Sequence, residues 1–184
     1  YTLSYTLSLH DALPISASIY NTEKLDWLNS HYIKNSSNDE LTNLLTDFGI
    51  LLTSHDKKEI LLDALKERAK TLKELATLVL EVTSAPTSYD EKAVKKAFKG
   101  DAFEVLNAFG AKVSASDAPK LPLDYHALME SVVSEMEIGF GKIGQPLRLA
   151  LLGKLSGPGL DVVMSVIGKE ETMLRIEKAI LANS

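Results

Sequence analysis

The sequence of 184 residues contains no cysteine and no apolar run of about eighteen residues, the length that a membrane-spanning helix requires. The absence of cysteine excludes a disulfide framework and thiolate metal ligands, which fits a cytoplasmic protein. Basic residues are outnumbered, and the net charge is −5. Because affinity for phosphate comes from concentrated lysine and arginine, this charge argues against a general nucleic-acid binder, and no membrane or DNA partner is expected. A local basic surface is still compatible with it.

The first sixteen residues have a sequence that does not resemble a natural protein segment. They open with the repeat YTLSYTLS, and the run YTLSLHDALPIS at 5–16 resembles one reading frame of a common sequencing adapter. A signal peptide is the alternative, but the segment has neither a basic start nor an unbroken apolar stretch. We interpret 1–16 as a non-native leader and expect the biological sequence to begin near Ala17, inside a longer protein.

Capping residues and apolar spacing predict an all-α helical bundle, and no strand-period run competes with it. Four helices are expected before residue 85, and their predicted N-terminal residues are Asn21, Asn38, Ser54 or His55, and Thr71. Thr71 and Glu74 have the spacing of a capping box, in which a hydroxyl and a carboxylate each accept from a backbone amide. The third helix then ends near Arg68.

The first of these helices carries the single tryptophan. Trp27 and Tyr32 share helical spacing with Leu25, Leu28 and Ile33, which favours a core role for both aromatic rings. A surface on which a nucleic-acid base stacks is the alternative.

A boundary between two helical subdomains, 17–85 and 86–184, is predicted at the segment TSAPT, because Pro86 disfavours a helical residue before it. The second subdomain is expected to start with a capping box at Ser88–Glu91. Its predicted helices are 93–98, 102–109, a longer one with Tyr125, Leu128, Met129, Val132, Val133 and Met136 inward, 147–152, 160–167 and 170–181.

Glycine and proline punctuate these predicted helices. Gly100 and Gly110 are expected to end two short helices. Pro146 and Pro158 are expected in first helical turns, where a missing N–H is tolerated.

The run GFGKIG at 139–144 matches the G-x-G-x-x-G pattern of dinucleotide-binding loops. It follows a predicted helix, and no strand–helix–strand unit surrounds it, so we interpret it as a flexible joint into a turn at Gln145–Pro146.

Polar side chains show no catalytic or metal-binding pattern. The histidines His31, His55 and His126 are too dispersed for a metal site, and no serine–histidine combination suggests a nucleophile. We therefore expect no catalytic residue, no metal and no cofactor in this chain.

The chain has three arginines, and arginine is the residue suited to forked recognition of bases and phosphates. Arg68 and Arg148 lie at predicted helix ends, each flanked by lysines: Lys66, Lys70, Lys142 and Lys154. Arg175 lies beside Glu171 and Glu177, which predicts a surface ion pair. From the residues alone, a solvated or structural role for Arg68 and Arg148 is the simpler interpretation.

Four segments, in the same order, resemble the C-terminal half of bacterial glutamate–tRNA ligases. They are TEKLDWLNSHYI at 22–33, GKIGQPLRLALLG at 141–153, GPGL at 157–160 and GKEE at 168–171. The family patterns are E-K-L-x-W-L-N, K-x-x-x-Q-P-L-R-x-A-L-x-G, P-G-L and L-G-K-E-R. The resemblance covers nearly everything from residue 21 onward and implies the helical-cage anticodon-binding fold of class I aminoacyl-tRNA synthetases.

The resemblance implies a site that reads the anticodon. Arg68 matches an arginine that faces the third anticodon base, and Arg148 matches the arginine of Q-P-L-R near the anticodon loop. Gly157, Pro158 and Leu160 match the turn against which an unstacked base packs. The supporting cations would be Lys66, Lys70, Lys142 and Lys154.

The chain departs from the family pattern at three positions, Leu152, Gly157 and Asp161. A threonine, a hydroxyl residue and an apolar or aromatic residue, respectively, are more usual there. A carboxylate at Asp161 would repel phosphate.

The H-I-G-H and K-M-S-K-S motifs of the catalytic nucleotide fold do not occur in the chain. The resemblance therefore implies that the chain is inactive alone and that its parent charges tRNA with glutamate, using ATP and Mg²⁺. The implied partner is tRNA-Glu, with tRNA-Gln left open. A helical scaffold or protein-interaction module without an RNA ligand is the alternative function.

Overall fold

The computed structural model describes residues 22–117 and 119–183, and in that part of the chain all regular secondary structure is helical. The helices are α1 (Thr22–Asn35), α2 (Asn38–Thr46), α3 (Lys58–Lys66), α4 (Leu72–Thr83), α5 (Glu91–Ala97), α6 (Ala102–Ala115), α7 (Pro122–Glu135), α8 (Phe140–Leu152) and α9 (Leu160–Asn183). The all-α prediction is confirmed. The leader at 1–16 and the predicted cap Asn21 lie outside the described residues.

The starts of α2 and α3 differ from the prediction. The N-cap of α2 is Ser37, whose hydroxyl accepts from the Glu40 amide at 3.2 Å. Asn38 is the first helical residue, and its side-chain amide donates to Glu59 and to a second carboxylate on α3. The predicted start of α3 at Ser54 or His55 is wrong, because residues 53–57 form turns before the helix begins at Lys58.

The predicted start of α4 is confirmed. The Thr71 hydroxyl accepts from the Glu74 amide at 3.1 Å. The Glu74 carboxylate accepts from the Lys70 amide at 2.9 Å, one residue earlier than an ideal capping box requires.

The start of α5 and the length of α6 also differ from the prediction. Asp90, rather than Ser88, caps α5, and its carboxylate accepts from the Ala93 amide at 2.7 Å. Gly110 lies inside α6 and does not end it. A Cβ at Gly110 would lie 3.3 Å from the Met173 Cε, the end of a flexible side chain on α9.

The glycine-rich run at 139–144 is the beginning of a regular helix and not a flexible joint, because α8 runs from Phe140 to Leu152. Pro146 consequently lies inside α8, where its ring is buried and cannot donate the hydrogen bond of a helical N–H. Pro158 precedes α9 by two residues and so lies before its first turn. Both proline predictions are therefore wrong.

α9 joins the helices from both predicted subdomains, because it packs against α3 and α4 as well as α6, α7 and α8. It is interrupted at Gly168, whose φ of 82° and ψ of 175° match the predicted turn there. The buried core is continuous across the helices and includes Leu61, Val79, Leu106, Phe109, Leu151, Val163 and Ile176. The division at residues 85 and 86 stays a prediction. None of the described helices has the length and apolar character needed to cross a membrane.

Candidate nucleic-acid interface

The turn between α8 and α9 has a backbone that only glycine fits easily. Gly153 ends α8 with φ 71°, and a Cβ there would lie 2.6 Å from the Ser88 carbonyl oxygen. Gly157 has φ 147°, and a Cβ there would lie 2.5 Å from a methyl carbon of Leu152. The Gly153 carbonyl also accepts from the Asp90 amide at 3.1 Å, which ties the turn to the start of α5. The backbone conformation of the turn at 153–159 therefore requires glycine at positions 153 and 157.

Arg68 and Arg148 meet at this turn from different helices. Arg68, just after α3, donates from Nη1 to the Gly157 carbonyl at 3.2 Å. Arg148, on α8, donates from Nη1 to the Pro158 carbonyl at 2.6 Å. The two guanidinium groups thus bind successive carbonyls, although 80 positions separate them in sequence (148 − 68). Sequence predicted both residues, and the structure brings them together.

The charge of this arginine pair is not neutralised nearby. Within the described residues, neither guanidinium has a carboxylate oxygen at ion-pair distance. Burial, followed by repulsion from Arg68, lowers the pKa of Arg148, and Asp161 opposes that shift. The pair remains cationic because arginine keeps its proton at any ordinary pH. The turn therefore carries the positive charge of two guanidinium groups.

The apolar residues predicted at the turn face inward. Leu160 is 5% exposed and belongs to the core, and Pro158 is buried. Ser156 and Arg68 are exposed, and Gly157 is half-buried. A base that packs here would meet the turn's backbone and the Arg68 guanidinium rather than the Leu160 side chain. The packing role of Pro158 and Leu160 stays a prediction.

Three of the four supporting lysines are held by carboxylates. Their partners are Asp63 for Lys66 at 2.7 Å, Asp101 for Lys142 at 3.0 Å, and Glu81 for Lys154 at 2.5 Å. These contacts also lower the carboxyl pKa of Asp63 and Asp101, chiefly through the lysine hydrogen bonds. Lys70 is exposed and forms no ion pair within the described part of the chain. It is therefore the least constrained of the four.

Arg175 is buried, so the prediction of a surface ion pair is wrong in its location. Its Nε donates to Glu171 at 2.7 Å, which confirms that partner. Nη1 donates to the carbonyls of Val82 at 3.1 Å and Leu151 at 2.9 Å, and Nη2 to that of Thr83 at 3.3 Å. These carbonyls lie in the last turns of α4 and α8, where backbone carbonyls lack a donor within the helix, and Arg175 supplies that donor. Arg175 thus supports the helix end from which the turn departs.

The aromatic residues of α1 lie on the surface. Trp27 is 66% exposed and Tyr32 is 64% exposed, so the predicted core role is wrong for both. The Trp27 and His31 rings stack with centroids 5.7 Å apart. Ile33 and neighbouring helices supply the core on this side instead. A base-stacking role for Trp27, which lines a shallow cleft with Lys70, stays a prediction.

The described ranges contain no cluster of three side chains suited to hold a metal ion. Side chains at the turn are basic or apolar apart from Ser156 and Asp161, which is a poor ligand set for a cation. What the arrangement can do is bind an anion and donate hydrogen bonds.

Known proteins resemble this chain over nearly its whole length. A family model described as an anticodon binding domain matches residues 22–180. The chain is 68% identical to glutamate–tRNA ligase 1 of Sulfurimonas denitrificans over 165 residues, covering 90% of this chain and 36% of the relative. It is 64% identical to glutamate–tRNA ligase 2 of a Nitratiruptor species, with the same coverage. The chain therefore spans about a third of the length of these curated relatives.

A solved structure shows the same architecture. The crystal structure of a glutamate–tRNA ligase from Elizabethkingia meningosepticum matches with a TM-score of 0.81 and 30% identity. The match covers 88% of this chain and 32% of that one.

Proposed function

Since the chain belongs to the anticodon-binding domain family, we propose that it binds the anticodon stem-loop of a tRNA as one part of a glutamate–tRNA ligase. The observation that carries this proposal is the meeting of Arg68 and Arg148 on successive carbonyls of the turn at 157–158. Two guanidinium groups without a carboxylate at ion-pair distance suit an unpaired RNA loop, whose bases and phosphates are both within reach of forked donors.

The two arginines have different parts in this proposal. Arg148 is half-buried and donates to the Pro158 carbonyl, so it stabilises the turn. Its positive charge would attract the RNA phosphates. Arg68 is exposed and uses one N–H on Gly157, which leaves donors for the edge of a base. We assign the third anticodon base to Arg68 and the adjoining backbone to Arg148.

The parent enzyme would charge tRNA-Glu with glutamate in the cytoplasm. ATP and Mg²⁺ would serve the glutamate-activating chemistry in the two thirds of the ligase that the chain does not span. This chain would supply recognition and no reacting group. A helical scaffold without an RNA ligand is not favoured, because the family match covers residues 22–180.

The experiment is a titration of the 184-residue chain with a tRNA-Glu anticodon stem-loop and with a scrambled hairpin of equal length. Binding should be tighter to the anticodon stem-loop and should weaken as salt rises, because part of the affinity comes from released counterions. Equal affinity for the two RNAs, or none for either, would contradict anticodon recognition by this chain.

A further inference from the structure

A row of lysines lies beside the turn, on and just after the short helix α5, which the proposed recognition of the anticodon does not use. The segment 91–100 has four lysines and one glutamate, a charge of +3 (four minus one), in a chain whose net charge is −5. All four side chains belong to exposed residues, namely Lys92, Lys95, Lys96 and Lys99. We call Lys92 and Lys96, which are four residues apart on α5, together with Lys99, two residues after its end at Ala97, the α5 lysine row.

Packing does not explain the lysine row. The buried side of α5 consists of Ala93 and Ala97, which contact Leu149 of α8. The lysine ammonium groups form no ion pair with any carboxylate in the described residues. Lys96, in the last turn of α5, is favourable for the helix dipole, but Lys92 and Lys96 repel each other at a spacing of four residues, and Lys99 lies beyond the helix. Helix stability therefore does not account for the row as a whole.

Two clefts connect the row to its surroundings. One, of about 380 Å³, is lined by Lys96 and Lys99 together with Lys142 and Gln145 of α8. The other, of about 450 Å³, is lined by Lys92 and Lys96 together with Lys154 and Ser156 of the turn. Lys96 borders both clefts, so the basic surface is continuous from the start of α8 to the turn.

The carboxylates in these clefts are already engaged. Asp101 binds Lys142 at 3.0 Å, and Asp90 accepts from the Ala93 amide at 2.7 Å. Glu81, which lines neither cleft, binds Lys154 at 2.5 Å. The exposed Glu91 is the acidic residue on α5 itself. The lysine row therefore presents positive charge over open grooves.

We propose that the α5 lysine row binds the phosphate backbone of the same RNA, extending the footprint from the turn at 156–158 across α5 to Lys142. This inference rests on the proposed function. Lysine is a point charge that suits phosphate and carries little base information, so the row adds affinity without adding sequence discrimination. The turn would read the anticodon loop, and the row would hold the adjoining strand.

The test compares two triple variants of the 184-residue chain. One neutralises the row, K92Q/K96Q/K99Q. The matched control, K57Q/K120Q/K178Q, removes the same charge from residues on other elements that form no ion pair among the described residues. Each is titrated with a tRNA-Glu transcript and an anticodon-swapped transcript between 50 and 200 mM salt. Circular dichroism and the Tm verify folding, and K92R/K96R/K99R retains the charge.

Neutralising the row should reduce the steepness of log affinity against log salt by about two. The difference in affinity between wild type and variant should therefore shrink by roughly tenfold to twentyfold between 50 and 200 mM salt. Both transcripts should lose affinity equally, and the arginine variant should keep the wild-type slope. The inference is overturned if the row and control variants have the same slope, or if the row variant alters anticodon discrimination. Failure of the wild type to prefer the tRNA over a scrambled hairpin would instead remove the proposed function.

Discussion

Arg175 and Arg68 carry the same side chain in opposite environments. Arg175 is 1% exposed, and its three nitrogens donate to Glu171 and to three backbone carbonyls. Arg68 is exposed and donates to the Gly157 carbonyl. An arginine whose donors are used internally stabilises the fold, whereas one with donors left over at a surface turn is available to a ligand.

Arg148 lies between these extremes and shows how the two regions are connected. It is half-buried on α8 and holds the Pro158 carbonyl. Arg175 binds the Leu151 carbonyl on the same helix, just before the turn. The comparison therefore predicts that changes at Arg175 alter stability first, and that changes at Arg68 alter RNA binding alone.

The largest expected effect is on stability at the buried arginine. Arg175→Met should lower the free energy of unfolding by about 3–5 kcal/mol, because it leaves Glu171 and three carbonyls without their partner. Urea denaturation followed by circular dichroism measures it. Arg175→Lys keeps the charge but loses the forked geometry of the guanidinium group. Its free energy of unfolding should lie between those of the wild type and Arg175→Met. A loss below about 1 kcal/mol would mean that the contacts of the buried arginine do not stabilise the fold.

A second, smaller effect is expected at the turn itself. Gly153→Ala should cost about 1–3 kcal/mol, since the residue has φ 71° and its Cβ would meet the Ser88 carbonyl. Gly144→Ala is the matched control, because Gly144 lies inside α8 and a Cβ there meets nothing within 4 Å. That change should stabilise by about 0.5–1 kcal/mol. Equal effects of the two variants on the Tm would contradict the requirement for glycine at position 153.

The smallest expected effect has the opposite sign and concerns affinity. The Asp161 carboxylate raises the pKa of Arg148, so its negative charge offsets part of the positive charge at Arg148. Asp161→Asn should therefore strengthen tRNA binding by about 0.3–1 kcal/mol at low salt, and the gain should shrink as salt screens the charges. Asp56→Asn, at an exposed site before α3, is the control. Weaker binding by Asp161→Asn would show that this carboxylate holds the turn.

Local chemistry predicted the helices better than their ends. Thr71 was recognisable because a hydroxyl and a carboxylate three residues later have one common use. The sequence does not distinguish Asn38 from Ser37 as the cap of α2, because both residues cap well and the choice depends on contacts with α3. Pro146 and Gly110 sit inside helices because packing against other helices outweighs their local preferences.

The candidate site was predictable in its residues and unpredictable in its geometry. The Q-P-L-R pattern identified Arg148, but no local signal shows that Arg68 reaches the same turn from another helix. The burial of Arg175 is unpredictable for the same reason, because the Val82 carbonyl that it binds lies 93 positions away. The exposure of Trp27 is unpredictable because helical spacing defines an apolar face without showing whether a neighbouring helix covers it.

Arg68→Gln, with binding and stability measured on the same sample, tests the central claim most directly. Titration against tRNAs that differ only in the third anticodon base should show a loss of about 1–3 kcal/mol for the cognate tRNA and weaker discrimination at that base. The free energy of unfolding should stay within about 0.5 kcal/mol of the wild type. Equal losses for every anticodon, or a large loss of stability with unchanged binding, would contradict the assignment of Arg68 to base recognition.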